Sequence, residues 1–165
     1  MTRVFTALCV FFCALFSLNG CARQQQPSLH TAFEAEFSAR YRDLEPCGRL
    51  TYTAERCLTL ELDSPGSLEG LSVGYCGGEL SLRRGELRCT ADEAYLPAAS
   101  FPAMLKAALG ALSDASANGQ LVFDGQETQL ETPAGSCSVT VDGEGLPVTI
   151  KVDDCTVELR ERSAL

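Results

Sequence analysis

Six cysteines, Cys47, Cys57, Cys76, Cys89, Cys137 and Cys155, are the residues best able to do chemistry in this 165-residue chain. Zinc is a poor fit for them, because no C-x-x-C occurs and the one histidine, His30, stands upstream in a polar stretch. No metal site is expected. The lack of any later histidine also removes the Ser-His and Cys-His nucleophile arrangements. Acidic neighbours at Asp92-Glu93, Asp142/Glu144 and Asp153-Asp154 could in principle serve a glycosidase or hold calcium. However, Asp142-Gly143-Glu144-Gly145 lacks the spaced ligand series of an EF-hand loop, and solvated turns account for these acids. The glycine-rich stretch Gly74-Tyr75-Cys76-Gly77-Gly78 precedes no helix pattern, so it does not cradle phosphate. The expectation is a protein that is not an enzyme and carries no cofactor.

Charge and leader then place the cysteines in a compartment. Thirteen Lys and Arg against 22 Asp and Glu give a formal charge of -9, the wrong sign for gripping a phosphate backbone, so no nucleic acid is expected. Met1-Thr2-Arg3 is a short basic start before an uncharged apolar run from Val4 to Leu18. That run is short for a membrane span, which needs about 20 residues, and suits an export signal. Leu18-Asn19-Gly20-Cys21 resembles the lipobox of bacterial lipoproteins. The resemblance implies a signal peptide over 1–20 and a diacylglyceryl thioether on Cys21, the lipid anchor that holds the protein on the extracytoplasmic face of a membrane. Loss of Arg3 with the leader lowers the formal charge to -10, so charge does not hold the domain to an anionic lipid surface. Residues 21–31 then read as the lipidated cysteine and a polar tether able to reach about 35 Å.

An even set of six cysteines in an exported domain points to disulfides, with buried free thiols as the alternative. Fifteen pairings are possible. Joining nearest neighbours (47 with 57, 76 with 89, 137 with 155) costs least loop closure.

The elements that must carry these residues are mostly strands. Phe33 to Arg42 alternates strictly, and the two-residue period returns in Leu50/Tyr52, Leu58/Leu60/Leu62, Leu71/Val73/Tyr75 and Leu80/Leu82. Ser100 can cap a helix with Phe101, Met104, Leu105, Ala108, Leu109 and Leu112 on one face and Pro102 in its first turn. Its thin polar edge, Lys106 among alanines, suggests a helix covered on much of its circumference. Strands resume at Gln120–Phe123, Glu127–Thr132, Ser136–Val141, Pro147–Val152 and Cys155–Arg160. At Asp153-Asp154 the apolar parity flips, which predicts either a two-residue turn pairing Val152 with Cys155 and Ile150 with Val157, or a bulge. The fold class is α+β, mostly antiparallel β: a curved sheet of about ten strands wrapped on one main amphipathic helix.

This order resembles the half-barrel of the LolA and LolB lipoprotein-carrier superfamily. The F-x-A-x-F strand at Phe33 to Phe37, the P-x-x-L-x-G-L stretch at Pro65 to Leu71 and G-L-P-V-x-I at Gly145 to Ile150 carry the resemblance, which covers residues 32–162. It implies a concave apolar face that receives acyl chains of a lipid or of other lipoproteins. Phe37, Tyr52, Leu60, Val73 and Leu82 would line that space from the sheet, and Met104 and Leu105 from the helix. The cysteine set departs from the carrier pattern, and an anchored protein does not shuttle between membranes. A fixed acceptor or accessory role therefore follows, the alternative being a filled, non-catalytic scaffold that supports an envelope or cell-wall protein partner.

Overall fold

The computed structural model describes residues 28–165. The leader, Cys21 and the first part of the tether lie outside the described residues. The sheet has eleven antiparallel strands in the spatial order β6-β5-β4-β3-β2-β1-β11-β10-β9-β8-β7. The first wing comprises β1 (Phe33–Tyr41), β2 (Cys47–Tyr52), β3 (Leu58–Ser64), β4 (Leu71–Cys76), β5 (Glu79–Arg84) and β6 (Leu87–Asp92). The helix α1 (Phe101–Ala117) then crosses to the far edge. The return wing comprises β7 (Phe123–Asp124), β8 (Glu127–Thr132), β9 (Gly135–Val141), β10 (Pro147–Val152) and β11 (Cys155–Ala164), which closes beside β1. The architecture is an α+β half-barrel: one curved open sheet around one helix.

Period two makes the sheet one-sided. Along β1 buried and more exposed residues alternate, with Phe33, Ala35, Phe37, Ala39 and Tyr41 turned inward. Asp153-Asp154 is a two-residue turn, and Val152 pairs with Cys155 and Ile150 with Val157. Asp153 takes a positive φ of 50°, as the mirror-image hairpin turns require. The eleventh strand, β6, has no counterpart among the ten expected from sequence. Most of its residues are exposed, so it lacks the apolar alternation that marked the others.

Helix α1 lays its expected stripe into the concave face, where Phe101, Met104, Leu105, Ala108, Leu109 and Leu112 are all buried. Ser100 is the N-cap residue, although its side chain makes no capping hydrogen bond. Asn118-Gly119 ends the helix: the Gln120 amide donates to the Ala115 carbonyl and the Gly119 amide to that of Ser116, with Gly119 at φ 64°. That is the hydrogen-bond pattern of a Schellman stop.

The register also decides the cysteines and corrects the nearest-neighbour pairing. Leu58 faces Tyr75 across the β3–β4 ladder, so one step further Cys57 faces Cys76, and these two form a disulfide with Cα atoms 4.4 Å apart. Cys47 starts β2 at the opposite end of its hairpin from Cys57, about 20 Å along the strands. Cys89 lies opposite Leu82 and, one strand further, Val73, three residues short of Cys76 along β4. Cys137 and Cys155 both flank Val152, on either side of β10. Two strand spacings, roughly 10 Å, exceed the reach of a disulfide. Among the described residues, the other four cysteines are free thiols.

Residues 28–31, expected as tether, are docked on the domain. The His30 amide donates to the Gly145 carbonyl at 2.9 Å, and Leu29 packs against the core. Gly145, at φ 84°, accepts the Ser28 backbone so closely that a Cβ there would collide with it. The folded unit therefore starts a few residues earlier than the strand pattern indicated.

Candidate functional site

The residues expected to line an acyl cavity are core residues. Phe37, Tyr52, Leu60, Val73, Met104 and Leu105 belong to one continuous buried cluster, and Leu82 packs against it partly buried. None of the seven borders the cleft that runs over α1. The helix is seated so deeply that side chains from both layers meet. Phe37 and Tyr41 of β1 stack on Phe101 at centroid separations of 5.8 and 6.2 Å, and the Ser113 hydroxyl donates to that of Tyr52 at 3.4 Å.

The open space lies on the other side of α1. A cleft of about 910 Å³ runs over the helix, with Ala103, Ala107, Gly110 and Ala111 along its floor. One wall is the connection from β6 to α1, with Ala94, Leu96, Pro97 and Ala98, and the other is strand β8 and the turn after it, with Leu130, Pro133 and Ala134. Nothing larger than a methyl group projects from most of this floor. The sequence signal was the run of alanines, but it had suggested a face covered by protein rather than one left open.

Polar groups gather at the Glu93 end. Asp92 caps the short 3-10 turn Glu93–Tyr95 by accepting from the Ala94 amide. That turn points Glu93 at Lys106, and the two side chains form an ion pair. The Lys106 ammonium also stands 5.5 Å from the centre of the Tyr75 ring. Tyr75 is buried at the edge of the cleft, where its hydroxyl lies next to that of Ser100 and both are shut off from solvent. Burial, and then the charge of Glu93, raise the Tyr75 pKa, so the phenol stays protonated in ordinary buffers. Lower on the helix, Asp114 is held by Arg56 at 2.6 Å, and Glu131 lies on the opposite wall.

Asp142, another of the acids singled out in the sequence, has structural partners. Asp142 accepts from the amides of Glu144 and Leu146 and pairs with Arg162 at 2.9 Å, bracing the β9–β10 turn. Desolvation pushes its carboxyl up, but those hydrogen bonds and the Arg162 charge outweigh this and hold it below the usual range.

No family model matches the chain, and no curated protein matches it. Among solved structures it is similar to an uncharacterized conserved protein from Thermus thermophilus, with a TM-score of 0.50 at 13% identity over 84% of this chain and 81% of that one. It is also similar to a LolA superfamily protein from Nitrosomonas europaea, with a TM-score of 0.44 at 9% identity over 82% of this chain and 87% of that one. At such identities the likeness concerns the fold alone. The half-barrel description rests on the strand order and the seated helix.

Proposed function

We propose that this protein is a lipid-anchored, non-catalytic lipoprotein of the extracytoplasmic membrane face that holds an acyl chain against the outer face of α1. The observation that carries the reading is the cleft of about 910 Å³ floored by Ala103, Ala107, Gly110 and Ala111. That volume is near the top of the range of roughly 300–1,000 Å³ usual for small-molecule sites, and its lining is mostly apolar. The Leu18 to Cys21 motif supports attachment to the membrane, where acyl chains are the abundant apolar ligand. A fixed acceptor or accessory of lipid or lipoprotein handling fits an anchored protein better than a ferry does.

The exported chain carrying Cys21→Ser, which has no lipid of its own, provides the test. Lipid extraction and mass spectrometry should find near-stoichiometric acyl species, and Ala111→Trp, which fills the cleft floor, should lower them at least about tenfold without unfolding the domain. An empty protein, or equal lipid in both forms, would refute acyl binding at the cleft. The continuous core beneath α1 would then favour the second reading, a scaffold for an envelope protein partner.

A further inference from the structure

Strand β6 forms one edge of the sheet, and among the described residues no strand lies on its other side. Its six residues contain no proline and no register shift, two devices that blunt such edges, whereas the opposite edge, β7, is only two residues long. The Glu93 amide donates to the Gly78 carbonyl, which fixes the phase of the β5–β6 ladder. Bonded positions recur at every second residue. Leu87, Cys89 and Ala91 therefore spend their backbone groups on β5, and those of Arg88, Thr90 and Asp92 point away from the sheet.

The side chains on the convex face select what this row accepts. Arg83 lies directly opposite Arg88 at one end of the β5–β6 pair, and Glu79 lies directly opposite Asp92 at the other. All four are exposed, and none makes an ion pair among the described residues. Like charges facing each other across a ladder oppose its pairing. A further strand gains most where it sets acids beside the two arginines and bases beside the two acids. β6 itself does this when turned antiparallel about Thr90. Arg88 then meets Asp92 of the second copy, Asp92 meets the second copy's Arg88, and Thr90 meets its own equivalent. These are also the residues whose backbone groups point outward, so hydrogen-bond phase and charge select the same register.

We propose that this protein forms a two-fold homodimer by antiparallel β6–β6 pairing centred on Thr90, which joins two half-barrels into one continuous sheet. A single edge ladder buries little area, and its ion pairs are exposed, so the dimer is weak and sensitive to salt.

Sedimentation equilibrium of the Cys21→Ser chain tests this. A dimer should form with a dissociation constant below about 100 μM at low salt. Thr90→Pro removes an outward amide that the monomer does not use, as an edge strand tolerates. It should weaken the dimer at least about tenfold and leave the urea midpoint of dilute protein nearly unchanged. Arg88→Glu and Asp92→Arg chains should each stay monomeric alone, because like charges then face each other across the two-fold axis. Mixed in equal amounts they should associate, since each supplies what the other lacks. A monomer at about 1 mM, a dimer indifferent to both Thr90→Pro and Arg88→Glu, or two charge variants that stay apart when mixed would overturn the proposal.

Discussion

The two sides of α1 are both apolar, but they have opposite jobs. The inward side carries Met104, Leu105, Leu109 and Leu112, which interlock with the sheet, and the outward side carries Ala103, Ala107, Gly110 and Ala111 under open space. Side-chain size, rather than polarity, separates them. Large residues on one side glue the helix into the half-barrel, and small ones on the other keep a trough above it. Stability and the proposed binding are thus carried by different residues of a single element, which allows each to be altered alone.

The strongest way to break this division is on the inward side. Leu109, 1% exposed, should cost about 2–5 kcal/mol as Leu109→Ala in urea unfolding, because the surrounding layers have little room to close the void. A loss below about 1 kcal/mol would mean that the helix is not firmly seated.

Thiol labelling sharpens the same contrast between covered and uncovered surface. Cys89, Cys137 and Cys155 all belong to strand faces turned toward the concave side, yet Cys89 is exposed at the edge while the other two are buried. Burial pushes the Cys137 thiol up to about 11, and burial with some contribution from Asp154 does the same for Cys155. At pH 8 in native buffer, maleimide should label Cys89 at least about a hundredfold faster than either, since only a minute thiolate fraction exists behind the packing. Labelling of Cys137 or Cys155 should rise only as pH approaches 11 or as the protein unfolds, which mass spectrometry of the labelled peptides would resolve.

The smallest effect is expected on the outward side. A Cβ at Gly110 meets no atom within 4 Å, so Gly110→Ala should stabilise the protein by about 0.5–1 kcal/mol through helix propensity alone. A destabilised variant would show that this face is packed against something.

Much of this was legible in the amino-acid order, for reasons that can be traced. The stripe from Phe101 to Leu112 and the Ser100 start were readable because a long amphipathic helix repeats its signal several times. The β10–β11 hairpin was readable because a parity flip leaves few alternatives. Strand β6 was not, since an edge strand with Leu87 and Cys89 in solvent leaves no alternation of burial in composition. The Cys57–Cys76 bond escaped because loop length was weighed without register. Pairing Leu58 with Tyr75 would have placed those cysteines face to face. The cleft escaped because alanines on a helix are equally consistent with close-packed protein and with empty space, and only the positions of the two walls tell them apart.

Every strand pairing in the sheet joins sequence neighbours except one, β1 with β11. The two wings can therefore zip up locally and early, and the β1–β11 seam, which waits for the whole polypeptide, is the slow closure. Phe33 and Ala164 sit across from each other at one end of that seam. A mechanical pull on the two ends of the domain would open it rung by rung like a zipper instead of shearing all its hydrogen bonds at once, so the load limit of the half-barrel is set by its most distant contact.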